Sequence, residues 1–203
     1  MYNEYSGFFK NQRDKYFRKV LINHFSNSSS VVDIGCGQGD FLTQAEKLKI
    51  NAEGVDDKDF WISKCLEKGL KAKKGSIFNL PYDDNSLDGI FLQSVLEHVD
   101  AIKAMTEISR VVKNDGIVVI SCPTPDKHFW DDPTHLRPHT IKSLTTLFEM
   151  FGYKVIHKNY VLAELLGMVI SWNGLFKWMN LIPGHVGSNV LVIGKKENIT
   201  SIS

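Results

Sequence analysis

The chain has 203 residues, 43% of them hydrophobic and 23% charged, with a net charge of +1. That suffices for one α/β domain with a substantial core, and so balanced a charge excludes a global electrostatic pull toward nucleic acid or an anionic membrane. Cys36, Cys65 and Cys122 are odd in number and scattered, which argues against a disulfide framework or zinc module and for a reducing, cytoplasmic setting.

Residues 1–10 are polar and aromatic, without the apolar run of a signal peptide. Across 11–25, Tyr16, Phe17, Val20, Leu21 and Phe25 share one helical face, so 1–29 reads as an N-terminal helical cap. A polar loop at 27–30 leads to strand candidates at 31–34, 52–55, 87–92, 117–121, 153–156 and 190–193. Lysines crowd 71–74, and its place in the alternation is what marks it as a further strand. Ile102, Met105, Ile108, Val111 and Val112 recur at helical spacing before a turn at Asn114-Asp115-Gly116. Another helix begins near Thr140, carries Leu144, Leu147, Phe148 and Phe151, and stops at Gly152.

Alternating strands and helices predict a doubly wound, mostly parallel seven-stranded sheet with helices on both faces, one domain over 1–203. The stretch 161–188 breaks the pattern as an apolar insertion before the last strand. Its core, 161–183, is rich in Leu, Met, Trp and Phe, yet Glu164, Asn173 and Lys177 interrupt it. It falls short of the ~18 clean apolar residues of a spanning helix. It reads as two short helices packed on the domain, or as a lid that meets a lipid-linked substrate, a membrane surface or a partner chain.

Directly after Val31-Val32 comes Asp33-Ile34-Gly35-Cys36-Gly37-Gln38-Gly39, followed by a helix-compatible run from Asp40. A strand that ends in alternating glycines brings backbone N–H groups close to a ligand. A dinucleotide fingerprint would read G-x-G-x-x-G; here that third position is Asp40, and the third glycine comes one residue early at Gly39.

The pattern D-x-G-x-G-x-G resembles the first motif of the class I S-adenosylmethionine-dependent methyltransferases. The resemblance implies a Rossmann-like fold and S-adenosylmethionine as cofactor. Asp56 lies about 20 residues past the glycine loop, where an acidic residue takes ribose hydroxyls. Residues 75–82 look like the family's third-strand loop, in which an acidic residue often contacts adenine; that position is Ser76 here. Residues 86–90 with 96–99 resemble the fourth-strand motif, and 111–116 the region after it. The likeness implies a cofactor site made of Asp33, Gly35, Cys36, Gly37, Gly39, Asp56, Asp57, Ser76, Ile77 and Gln93.

Asp131-Asp132-Pro133-Thr134-His135-Leu136-Arg137-Pro138 follows the fifth strand at the carboxyl edge, where loops carry function. The form D-P-x-H-x-R-P resembles a segment of methyltransferases linked to cell-envelope polysaccharide synthesis. It also reads as a turn that starts the next helix through Pro138 and Thr140. Methyl transfer asks for in-line positioning and removal of the acceptor's proton. His135 and His98 are the candidates for that proton, although His98 equally suits packing on the following helix. Arg137 fits a phosphate or carboxylate on the acceptor, with Asp132 beside it.

Some methyltransferases bind a divalent cation through E-x-x-E-H and a distant histidine. In Ser94-Val95-Leu96-Glu97-His98 the first carboxylate is missing, so no metal is assigned, while Glu97, His98 and His135 leave an open three-ligand site as the alternative. His24, His128, His139, His157 and His185 receive no role.

The expected function is cytoplasmic methyl transfer from S-adenosylmethionine to a hydroxyl, or an amine, of a small or carbohydrate-type acceptor. The alternatives are a silent cofactor-binding subunit that docks a partner through 161–183, and methyltransferases of quinone-like or RNA acceptors. Nucleic acid is disfavoured, because the lysines of 64–74 are not joined with stacking aromatics.

Overall fold

A computed structural model describes residues 7–125, 129–161 and 189–198. A helix, α1 (Gly7–Val20), continues through a π-helical turn at Leu21–Phe25 and leads into β1 (Val31–Ile34). Then follow α2 (Asp40–Lys47), β2 (Ala52–Asp56), α3 (Asp59–Glu67), β3 (Ala72–Lys74) and β4 (Leu87–Gln93). The second half holds α4 (Ala101–Val111), β5 (Val112–Pro123), α5 (Ile141–Met150), β6 (Tyr153–Tyr160) and β7 (Asn189–Lys196).

The seven strands form one sheet in the order β3-β2-β1-β4-β5-β7-β6. Strand pairs up to β5 are parallel, and β7 alone runs antiparallel, between β5 and β6. β1 and β4 are central, so the crevice beyond their carboxyl ends is the natural ligand site of the fold.

Strand alternation divides the core in two. Val32, Ile90, Leu92, Val118, Ile120 and Val192 face one layer with Met105, Ile108, Leu144 and Phe148 of α4 and α5. Val31, Phe91, Val119, Leu191 and Ile193 face the other, with Tyr16, Phe17, Phe41, Leu42 and Ile62 of α1, α2 and α3. Phe41 stacks on Phe91 at 4.1 Å. Each such buried side chain is worth roughly 1.5–3 kcal/mol.

Local chemistry fixes the helix starts. Asp100 caps α4 by accepting from the N–H groups of Ile102 and Lys103. Thr140 and Ser143 close a reciprocal capping box on α5, at the expected start. Asp88 accepts from the Ser29 and Ser30 backbone, the Ser29 hydroxyl and the Lys113 ammonium, which ties the 27–30 loop to β4 and β5.

The structure departs from the sequence reading at several points. β5 starts at Val112 and absorbs the expected 114–116 turn, with Asp115 at φ +65° and a register shift opposite Leu87 and Gly89. β6 runs on to Tyr160. α3 carries no apolar stripe that announces it, because only Ile62 and Cys65 are buried while Phe60 and Leu66 are exposed. The expected insertion at 161–188 lies outside the described residues, apart from its two ends. Among the described residues no helix is long and apolar enough to cross a membrane.

Candidate active site

β1 delivers Asp33, one residue before its end, into a buried position. Burial, reinforced by Asp56 and Asp40, raises its carboxyl well above the usual carboxylate range. The turn that follows needs its glycines. Gly35 has φ +70°, and a Cβ there would stand 2.4 Å from Val95 Cγ2. Gly39 has φ +79° and caps α2, with Leu70 and Cys65 packed against the place of a side chain. Gly37, at φ +51°, faces open space, so here the turn offers bare backbone to the crevice.

Asp56, the last residue of β2, holds this turn in place. Its Oδ2 accepts from the Gly37 N–H at 3.0 Å, and its Oδ1 from the Lys58 N–H at 3.0 Å. Gly35 and Cys36 donate to the Val55 carbonyl. Asp57 is exposed beside it. Beneath the turn Cys36 and Cys65 are buried, the latter donating to the Gly37 carbonyl at 3.2 Å, and burial raises both thiols. They are packing groups. Ser76 accepts from the Phe78 N–H through its hydroxyl. Ile77 turns its side chain into the core.

The second half of the crevice starts where β4 ends. Gln93 is half-buried with Oε1 unpartnered, and Ser94 adopts φ +54° while its N–H donates to the Ser121 carbonyl. A 3-10 turn at Leu96–His98 then points Glu97 inward. Glu97 is 0% exposed, and neither carboxylate oxygen has a hydrogen-bond partner. Burial pushes its carboxyl up to about 7, and its charge adds to the burial that raises the Cys122 thiol.

The 131–138 loop is docked on that turn through main-chain bonds. The N–H of Leu136 donates to the Glu97 carbonyl at 2.8 Å, and that of Arg137 at 3.4 Å. His135 thereby stacks against His98, ring centroids 4.7 Å apart, with Phe129 on its other side at 4.3 Å. His98 Nδ1 meets Thr134 Oγ1 at 2.9 Å, and His135 Nδ1 meets the Phe129 carbonyl. Burial lowers the pKa of His98, with the Thr134 carbonyl opposing the shift. Asp132 caps Thr134 and lies 3.9 Å from His135 Nε2.

One ligand atom each from Glu97, His98 and His135 lies within 4.8 Å of the others. The sequence-derived pair His98 and His135 thus meets, and Glu97 joins it. Arg137 is exposed at the rim.

Sequence reasoning missed the neighbours that complete this half. Ser121, Thr124 and His139 are buried and each carries a polar atom without a partner. Polar residues that end the apolar run of β5 were a usable signal for the first two. Val95, which packs against Gly35 across the crevice, and Phe129, which packs on His135, gave none.

Comparison with known proteins agrees with this architecture. Residues 32–120 match the family model of a methyltransferase domain. An uncharacterized protein of Methanocaldococcus jannaschii is 32% identical over 153 residues, which is 70% of this chain and 63% of that protein. The chain therefore spans less than two thirds of that relative's length. A demethylmenaquinone methyltransferase of Lactobacillus johnsonii is 28% identical over 206 residues, 92% of this chain and 82% of that enzyme. A SAM-dependent methyltransferase from Archaeoglobus fulgidus shares the fold, with a TM-score of 0.71 and 23% identity over 96% of this chain and 100% of that one. With its glycine turn and strand order, the chain has the Rossmann-like fold of the S-adenosylmethionine-dependent methyltransferases, and its central residues 32–120 are similar to a methyltransferase domain.

Proposed function

We propose that the chain transfers a methyl group from S-adenosylmethionine to a hydroxyl of a small or carbohydrate-type acceptor, in the cytoplasm. The observation that carries this reading is the contact of Gly35 with Val95, which sets the glycine turn directly against the strand end that bears Glu97 and His98. Donor and acceptor are then neighbours.

The bound cofactor supplies an electrophilic methyl group. Asp33 and the turn Gly35, Cys36, Gly37 and Gly39 line its amino-acid end. Asp56, with lone pairs left beyond its two backbone bonds, and exposed Asp57 take the ribose hydroxyls. Ser76, the Ile77 backbone and Gln93 border the base and the way toward the acceptor. On the far side the acceptor loses its proton at the His98–His135 pair, and Arg137 with Asp132 binds its polar substituents. Phe129 packs on the His135 ring and the contacts at Nδ1 hold both rings in place, which leaves Nε2 of each for the acceptor.

Calorimetric titration with S-adenosylmethionine and S-adenosylhomocysteine tests the donor half; no heat of binding for either refutes the proposal. For the acceptor half, nucleotide sugars and lipid-linked precursors are screened for methylated product. A second reading, methylation of a quinol ring, is favoured by the name of the Lactobacillus johnsonii relative. Turnover of demethylmenaquinol with none of any sugar would select it.

A further inference from the structure

Around Glu97 the hydrogen-bond network fixes both histidine tautomers. Thr134 Oγ1 gives its hydrogen to Asp132 Oδ1 at 2.6 Å, so toward His98 Nδ1, 2.9 Å away, it can only accept. His98 therefore carries its proton on Nδ1 and a lone pair on Nε2. His135 Nδ1 meets the carbonyl of Phe129, an acceptor, so its lone pair is also on Nε2. Beside the two rings is Glu97, with His98 Nε2 3.9 Å from its Oε1; its buried carboxyl oxygens make no well-formed hydrogen bond and have only the Cys122 thiol against them. The ligand atoms that Glu97, His98 and His135 offer, all within 4.8 Å of one another, are thus three electron-pair donors gathered at one place. What such a cluster lacks is positive charge.

We infer that Glu97, His98 and His135 form a binding site for a divalent transition cation, with coordination positions left open to the crevice. Two imidazoles and one carboxylate suit Zn²⁺, Co²⁺, Mn²⁺ or Fe²⁺, whereas Ca²⁺ and Mg²⁺ prefer oxygen throughout. Ligand bonds of about 2.0–2.1 Å place ligand atoms roughly 3.4 Å apart, so the widest pair closes by roughly 1–1.5 Å on binding. The outer layer is already in place, because each ligating imidazole gives its other N–H to an oxygen that sets ring orientation. Asp132 Oδ2, 3.9 Å from His135 Nε2, adds negative charge at the open side.

The chemical role of this site, though not its existence, rests on the methyl-transfer reading. An acceptor hydroxyl bound at an open position is acidified by the cation and releases its proton to solvent. Its oxygen then forms the new O–CH₃ bond as the donor's S–CH₃ bond breaks, and the sulfonium becomes a thioether. With the cation bound, the histidines act as its ligands, and the proton-accepting role given above to the metal-free His98–His135 pair passes to solvent.

Titration of the chelator-stripped protein with Co²⁺ and with Zn²⁺, followed by calorimetry and by the visible absorption of Co²⁺, tests the site without an acceptor. One cation per chain is expected. His135→Ala and Glu97→Gln should weaken binding by about 100-fold or more, and Thr134→Val, which keeps all three ligands, by about 10-fold. S-adenosylhomocysteine affinity and circular dichroism, unchanged in these variants, certify the fold; should His135→Ala fail to fold, Thr134→Val decides. No saturable uptake of either cation by the folded protein overturns the inference, as does uptake that Thr134→Val and Glu97→Gln leave unaltered. Cation binding without S-adenosylhomocysteine binding upholds the site and sinks the methyl-transfer reading. The converse sinks the cation site alone.

Discussion

Around the glycine turn, Gly35, Cys36, Gly37 and Gly39 each donate their N–H to a partner within the chain, and Asp56 accepts with both oxygens. Across the crevice, Gln93, Glu97, Ser121, Thr124 and His139 are set around the ends of β4 and β5 with polar atoms that have no partner. The donor half is a backbone device, complete before any ligand arrives. The acceptor half is built of side chains and stands incomplete. Each buried polar atom left so costs about 1–3 kcal/mol, a sacrifice of stability typical of functional sites.

The largest expected effect comes from joining the halves by force. In Gly35→Ala a Cβ enters at 2.4 Å from Val95 Cγ2 on a backbone of φ +70°. The left-handed conformation alone costs about 1–2 kcal/mol, and the clash adds to it, so thermal melting should fall and S-adenosylhomocysteine binding should be lost in calorimetry. Adding Val95→Ala should restore part of the stability; no recovery would mean that the halves do not meet there. Next comes Glu97→Leu, for which the two readouts should move in opposite directions. Chemical denaturation of the metal-free protein should show a gain of about 1–3 kcal/mol as an unpartnered carboxyl leaves the core, while methyl transfer is lost and cofactor affinity stays.

Asp56→Asn sharpens the donor half. An amide presents one oxygen where the carboxylate presents two, so one of the bonds to Gly37 and Lys58 is lost. About 1 kcal/mol of stability and roughly a fivefold weakening of cofactor binding should follow, measured by denaturation and calorimetry. The smallest effect on the comparison is a pH effect outside both halves. Burial raises the Asp88 carboxyl, but bonds from Lys113 and Ser29 outweigh it and hold it down at about 2, against a usual 3.8. A depressed carboxyl stabilises the fold above its unfolded value and loses that contribution as pH falls toward its folded value. Melting temperature should therefore drop between about pH 4 and pH 2, and Asp88→Asn should flatten that drop.

The glycine turn, proposed above to hold the donor, was legible from sequence because it depends on short-range spacing. Three glycines in alternation, an aspartate before them and another about 20 residues on are all visible in one dimension. The acceptor half was legible only in pieces. His98 and His135 could be nominated, yet their meeting depends on the main-chain bonds from Leu136 and Arg137 to Glu97, which no side-chain pattern encodes. The same limit explains α3, where burial of just Ile62 and Cys65 leaves no helical stripe. It also explains the true start of β5, where strand pairing overrode the turn preference of Asn114-Asp115-Gly116.

The position of β7 has a consequence for the order in which the molecule comes together. Among the described residues it follows every other strand, yet it lies inside the sheet, and β6 pairs there with β7 alone. While the chain is being synthesised, β5 keeps one open edge and β6 floats until 189–196 leaves the ribosome. Pairings so distant in sequence form late and leave strand edges exposed in the meantime. The last strand is thus the latch of the sheet, and the window before it closes is when this chain is most exposed to aggregation and most dependent on chaperones.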